Sequence, residues 1–231
     1  MEFILDSSIQ DDKDRFARND KYLMEIVNPK IERYLYELHP TTDPVLKEME
    51  QLAQQRDFPI VGPMVGQILY QLALMIGAKR IFEMGSGFGY STWWFARALP
   101  PTGEIFHTDF EQAHSNQART FLQKAKLDQK VRFLVGDALQ HFDQTKGELD
   151  IVFIDMNKQD YPTGYRKAKP RLRHGGLLIA DNTLWFGHVL DKKSDEATRG
   201  IQEFNQLTSQ DEDFVHTILP VRDGIAVCLK K

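Results

Sequence analysis

Two carboxylates and an amide stand at the ends of two short apolar runs. Asp155 follows Leu149-Asp150-Ile151-Val152-Phe153-Ile154, and Asp181-Asn182 follows Leu177-Leu178-Ile179-Ala180. If the two runs are parallel neighbours in one sheet, their carboxyl ends lie together and the three side chains converge. An oxygen-only donor set suits a hard cation, Mg²⁺, Mn²⁺ or Ca²⁺; zinc would ask for His or Cys, which the pattern does not place here. Lys158, three residues past Asp155, reaches the same crevice, where a dication would favour its neutral, proton-accepting form. The plainer alternative is that Asp155 caps a helix and Asp181-Asn182 forms a turn.

A second group of residues points to a nucleoside. Gly85, Gly87 and Gly89 follow an apolar run that contains Glu83, and a helical stretch follows them. Glycines at such a junction let the backbone turn sharply and approach a ligand. A dinucleotide fingerprint would place glycine at position 90, which is Tyr90, so the spacing favours a ligand without a pyrophosphate. Asp109 ends the next run, about 25 residues further on, where an acidic residue meets ribose hydroxyls. Gly136-Asp137-Ala138, after the third run, is placed to hold an adenine ring. Asp109 and Asp137 also read as simple helix caps.

These residues need elements that carry them to one edge of a sheet. From residue 80 onward, apolar runs at 80–84, 104–109, 131–135, 149–154 and 177–180 alternate with amphipathic stretches near 90–98, 111–126, 137–144 and 160–173. Strand alternating with helix means βαβ units and a parallel sheet. A last pair of runs, 214–220 and 225–229, is joined through Arg222-Asp223-Gly224. Asp-Gly between strands signals a hairpin, which turns the last strand antiparallel. Upstream the chain is charged and helical from about Asp11 to Glu50, with breaks at Asn28-Pro29 and His39-Pro40 and a cap-plus-proline start at Thr42-Asp43-Pro44. A break at Asp57-Phe58-Pro59 precedes a mostly apolar helix, Met64 to Ile76, ending at Gly77. The expected organisation is an N-terminal helical extension over 1–58, a lid or dimer contact, and an α/β domain over 59–231.

Composition narrows the partners. The chain of 231 residues is 42% apolar and 27% charged, enough for a sizeable core without disulfides, and Cys228 is its only cysteine. That suits a reducing compartment, and a cytoplasmic location is expected. A net charge of −4 gives no field for nucleic acid. The basic stretch Arg166, Lys167, Lys169, Arg171 and Arg173 reads as a solvated helix face. No apolar run approaches the roughly 20 residues that span a bilayer, and the opening MEFILDSSIQDDKDRF lacks the pattern of a signal peptide. Neither a nucleic-acid nor a membrane partner is expected.

FEMGSGFGYSTWW, FIDMNKQDY, IADNTLWFGHV and VRDGIAVCLKK, in this order, resemble segments of the cation-dependent O-methyltransferases of the caffeoyl-CoA and catechol type. The resemblance runs from about Pro59 to Lys230. It implies a Rossmann-like class I methyltransferase domain over 59–231: a seven-stranded, mostly parallel sheet with an antiparallel last strand and helices on both faces. It also implies S-adenosylmethionine as methyl donor, a divalent cation (Mg²⁺ first, or Mn²⁺ or Ca²⁺) and a homodimer.

Position by position, the resemblance implies that Asp155, Asp181 and Asn182 are the metal ligands. Lys158 falls at the general base, with Asp155 and Asn182 beside it in the catalytic set. Gly85, Ser91 and Asp109 match positions holding the methionine carboxylate and the ribose. Val61 contributes backbone contacts at the methionine end, Glu83 and Ala138 line the cofactor, and Asp137 and Asp155 complete that set. The implied acceptor is a catechol or phenylpropanoid with vicinal hydroxyls, free or as a CoA ester. The cation would act as Lewis acid and template, and Lys158 would take the proton.

The chain departs from the pattern at Asn157, where the family carries a second acid, at Met156 in place of a small residue, and at Arg222 where glycine is common. These changes bear on the substrate, not on the reaction. Trp93, Trp94 and Phe95 read as core, whereas Trp185-Phe186, just past the acidic pair, is equally suited to core or to stacking on an aromatic acceptor. Other readings are an NAD(P)-dependent oxidoreductase, disfavoured by Tyr90, a methyltransferase acting on RNA or another non-catechol acceptor, and a nucleoside-binding regulatory protein.

Overall fold

A computed structural model describes residues 24–231; the opening segment and the 11–23 part of the expected helical stretch lie outside the described residues. One sheet organises the chain. Its strands are β1 (Arg80–Met84), β2 (Glu104–Asp109), β3 (Val131–Val135), β4 (Leu149–Ile154), β5 (Leu172–Ala180), β6 (Phe214–Leu219) and β7 (Ile225–Lys230), in the order β3-β2-β1-β4-β5-β7-β6. Strands β1 to β5 pair in parallel, and β7 runs antiparallel to both β5 and β6.

The central strands are apolar on both faces, as a sheet covered by helices on each side requires. On β4, Ile151 and Phe153 point into one core with Ile81, Ile105 and Ile179, while Val152 and Ile154 point into the other with Phe82, Met84 and Leu178. Helices α2 (Pro44–Gln55), α3 (Gly62–Met75), α4 (Tyr90–Ala98) and α5 (Gln112–Lys124) cover the first face; α6 (Ala138–Gln144), α7 (Tyr161–Ala168) and α8 (Glu196–Gln210) cover the second. Complete burial of a ring such as Phe153, 0% exposed, contributes about 2–3 kcal/mol. Helix α1 (Pro29–Leu38) buries no residue, whereas α2 places Val45, Leu46, Met49 and Ala53 in the core.

Local chemistry sets the boundaries. Asp43 caps α2 by accepting from the Val45 and Leu46 amides at 2.9 and 3.2 Å, with Pro44 in the first turn. Trp93 and Phe95 are core, and Trp94 is half-buried. The fifth strand begins at Leu172, earlier than the apolar run suggested, because the preceding helix stops at Ala168 and a 3₁₀ turn containing Pro170 leads straight into the strand. All five cations of the basic stretch are committed within the chain. Arg166 pairs with Glu203, Lys167 with Asp143, Lys169 with Asp211 and Asp213, and Arg173 with Asp150; Arg171 donates to the Gly147 carbonyl. Among the described residues no helix is long and apolar enough to cross a membrane.

Candidate functional site

The strand order reverses between β1 and β4, and the chain leaves their carboxyl ends in opposite directions, opening a crevice there. Both groups of candidate residues border it. Gly85, Gly87 and Gly89 hold φ of +87°, +51° and +88°. A Cβ at Gly85 would overlap the Asp155 carbonyl, with its carbon at 2.8 Å and Met156 Cα at 3.1 Å. The Asp155 amide donates to the Met84 carbonyl at 2.9 Å, so the glycine loop and the acidic loop share one seam. Thr108 anchors the loop from the other side: its hydroxyl accepts from the Gly85 amide at 3.2 Å and donates to the Glu83 carbonyl at 2.6 Å. Gly89 begins α4 with no side-chain cap, leaving the first N–H groups of the helix facing the crevice.

Behind the loop lies a buried polar chain. The Thr92 hydroxyl donates to Glu83 Oε2 at 2.5 Å and stands 3.1 Å from His107 Nδ1. Burial pushes the Glu83 carboxyl up to about 7, against hydrogen bonds from Ser91, Thr92 and Ser86 that pull it down. Burial likewise takes His107 down to about 3. Glu83 Oε1 and His107 Nε2 have no partner. Ser91 is buried beside Glu83. Asp109 Oδ1 accepts from the Glu111 amide at 2.8 Å and meets His114 Nδ1 at 2.9 Å. Asp137 caps α6, accepting from Leu139 and Gln140, so the capping alternative describes its carboxylate. Ala138 and Val61 are buried, and Val61 precedes α3.

The structure brings Asp155, Lys158, Asp181 and Asn182 together. Lys158 Nζ donates to Asp155 Oδ1 at 3.0 Å, to Asn182 Oδ1 at 2.5 Å and to the Tyr161 hydroxyl at 2.8 Å. Tyr161 in turn donates to the Asp181 carbonyl at 3.1 Å. Asp181 is buried, and its Oδ1 lacks a partner. Burial, then the charges of Asp155 and Asp223, push its carboxyl up to about 8. Asn182 sits at φ +57° and donates from Nδ2 to Asp223 Oδ2 at 2.8 Å, which turns its oxygen toward Lys158. Beyond it Trp185, Phe186 and Gly187 also take positive φ, of +47°, +51° and +88°. Lys158 Nζ lies 5.6 Å over the Trp185 ring.

Sequence reasoning left two members of this cluster aside. Asp223 and Tyr161 stand inside the segments VRDGIAVCLKK and FIDMNKQDY that carry the resemblance, but neither receives a role in the site from it. Nor was α8 anticipated, yet it packs on the segment bearing Lys158: a Cβ at Gly200 would lie 2.6 Å from Gln159 Cα and 2.9 Å from the Lys158 carbonyl carbon. A concavity of about 410 Å³ beside the cluster is lined by Met24, Phe186, Gly187, His188, Leu190 and Asp191. It contains none of the four clustered residues, so polar atoms rather than shape mark the site.

A family model described as O-methyltransferase matches residues 37–231. The chain belongs to this family. The O-methyltransferase is 34% identical over 181 residues to a catechol O-methyltransferase of Niastella koreensis, covering 74% of the chain and 82% of that relative. It is 31% identical over 214 residues to the tapetum-specific methyltransferase 1 of Arabidopsis thaliana, covering 86% and 92%. Its structure matches that of an O-methyltransferase from Bacillus cereus in complex with S-adenosylhomocysteine (SAH) at a TM-score of 0.80, with 28% identity over 87% of this chain and 97% of that one. The enzyme is an S-adenosylmethionine-dependent O-methyltransferase with the class I fold.

Among the described residues of this O-methyltransferase, no three His, Cys, Asp or Glu side chains form a ready-made metal nest. Its donor set is two carboxylates and an amide. That set still fits a hard cation: Asp181 Oδ1 is buried without a partner, and the oxygens of Asp155 and Asn182 already converge on a positive charge, the Lys158 ammonium.

Proposed function

We propose that this enzyme methylates one hydroxyl of a vicinal dihydroxy aromatic, with a divalent cation, Mg²⁺ first, held by Asp155, Asp181 and Asn182. The observation that carries the reading is the partnerless Asp181 Oδ1 beside two oxygens gathered on an ammonium. The Niastella koreensis relative, named for catechol, supports the same acceptor class. A cation bound there supplies Lewis acidity toward paired hydroxyls, which a lone phenol would not exploit.

The chain's own residues do the rest. Asp223 fixes the Asn182 amide so that its oxygen points inward. Tyr161 holds Lys158 Nζ in the crevice, and Nζ, having given up to solvent the ammonium proton that a neighbouring dication disfavours, accepts the proton of the reacting hydroxyl. Trp185 offers a face for the acceptor ring. The loop from Gly85 to Ser91 holds the methionine end of the donor with the Val61 backbone and Glu83, Asp109 takes the ribose, and Asp137 and Ala138 flank the adenine. Holding donor and acceptor in line is the orientation contribution. Residues 1–58 serve the acceptor side or a homodimer contact through the exposed Ile31, Tyr34 and Leu38 of α1, and the cytoplasm is the expected compartment.

Methylation of caffeate before and after chelation with EDTA tests the reading. Activity should vanish and return with Mg²⁺; full turnover after exhaustive chelation would remove the cation from the mechanism.

A further inference from the structure

The hairpin between β6 and β7 carries a guanidinium into the space between three elements. Arg222 Nη1 donates to the Ile60 carbonyl at 2.7 Å. A Cβ at Gly62 would lie 3.6 Å from Arg222 Nη1 and 3.7 Å from the Tyr36 hydroxyl, so Arg222 and Tyr36 meet over the start of α3. Its neighbour in sequence, Asp223, accepts from Asn182 Nδ2 at 2.8 Å, so the guanidinium stands within electrostatic reach of Asp181 and Asp223 as well as of Glu32 on α1. Its backbone takes φ +54°, a conformation that costs an arginine and would suit glycine. Strain of that kind persists where the surrounding contacts over-determine it.

We infer that Arg222 is a positioning residue: it sets the Ile60–Gly62 turn, at the cofactor's methionine end, against the acidic pair, and its charge moderates the site's affinity for a divalent cation. The two effects have opposite signs. Anchoring Ile60 strengthens binding at the methionine end, whereas a guanidinium near Asp181 repels a dication drawn to the same carboxylate. Without a cation, the same charge offsets the mutual repulsion of Asp155, Asp181 and Asp223. This inference rests on the reading that donor and cation bind at these residues.

The test uses the full chain with Arg222→Gly and Arg222→Lys. Glycine relieves the backbone, so loss of fold does not obscure the result. SAH affinity is measured by calorimetry without metal, and Mn²⁺ affinity by electron paramagnetic resonance. Arg222→Gly should bind Mn²⁺ about tenfold more tightly and SAH about tenfold more weakly. Arg222→Lys, which keeps the charge on a differently shaped head, should restore the Mn²⁺ affinity but not the SAH affinity. Parallel weakening of both ligands, or no change in either, overturns the inference. Failure of the unaltered chain to bind Mn²⁺ defeats the metal reading instead; the SAH comparison then decides alone, with weakening in Arg222→Gly supporting the anchoring role and an unchanged affinity refuting it.

Discussion

Replacing Gly85 with alanine adds one methyl group at the seam between the glycine loop and the acidic loop. Two costs follow from the geometry. At φ +87° an L-residue is disfavoured by about 1–2 kcal/mol. The new Cβ would also stand 2.8 Å from the Asp155 carbonyl carbon and 3.1 Å from Met156 Cα. These are backbone atoms with no rotamer to escape into, and overpacking of that kind costs about 1–3 kcal/mol. The sum, about 2–5 kcal/mol, lowers Tm by roughly 5–20 °C for a chain of this size.

Activity should suffer more than stability. Moving the Asp155 segment aside by on the order of 1 Å costs about 10²-fold in turnover. Gly77→Ala is the control, since Gly77 also has positive φ, +59°, but nothing within 4 Å of its Cβ position; only the conformational cost of about 1–2 kcal/mol applies. Thermal denaturation, SAH calorimetry and turnover are measured on both variants. If Gly85→Ala melts with Gly77→Ala and keeps SAH affinity and rate, the seam does not hold the two loops together.

Three further outcomes follow from the site. Lys158→Met should lower kcat by about 10²–10⁴-fold while leaving SAH affinity intact; an unchanged kcat at saturating acceptor would dismiss Lys158 as the base. Trp185→Ala should raise the acceptor KM by about 2–12-fold, the equivalent of 0.5–1.5 kcal/mol of ring stacking, and an unaltered KM would return this ring to a packing role. Glu83 should make the unliganded protein pH-sensitive. Its carboxyl rises from an ordinary 4.5 to about 7 on folding, so its stabilisation is full below pH 4.5 and is lost as pH climbs to 7. The stability of Glu83→Gln relative to wild type should therefore improve by about 3 kcal/mol across that window. His107, lowered from 6.5 to about 3, acts oppositely: its contribution is present above pH 6.5 and lost on acidification. Denaturant melts from pH 4.5 to 7.5 that show a flat Glu83→Gln difference would contradict the assignment.

Strand-end chemistry was legible in the sequence because it is local. Short apolar runs marked β1, β2, β4 and β5, and the last three bring the chain to Asp109, Asp155 and Asp181 at their carboxyl ends, so Asp155 and Asp181 could be placed together. Tyr90 at the fingerprint's third glycine position told the loop apart from a dinucleotide site. What escaped depends on contacts distant in sequence. Asp223 meets Asn182 only because β7 inserts between β5 and β6, and an Asp-Gly pair reads as a turn whatever its carboxylate touches. Helix α8 hid behind a weak pattern: Ile201 and Phe204 are its only large fully buried side chains, and Gly200 interrupts the sequence. That glycine reads as a helix weakness until α8 is seen pressed on the Lys158 segment. The Thr92–His107 pairing likewise needs α4 laid across β2.

The loop after β5 holds three non-glycine residues with left-handed backbones, Asn182, Trp185 and Phe186. At about 1–2 kcal/mol each, they withhold a noticeable share of the few kcal/mol that keep a domain folded. Glycine at Phe186 would release its share, whereas glycine at Trp185 would also forfeit the packing of the indole against the core of the second face. On the proposed stacking role of these rings, backbone strain and acceptor choice are coupled at Phe186. On that reading, selecting Phe186 variants by melting temperature alone favours a sturdier enzyme with a blunter preference for its acceptor. Changes of substrate range should come instead from exchanging side chains on a backbone already committed to its shape.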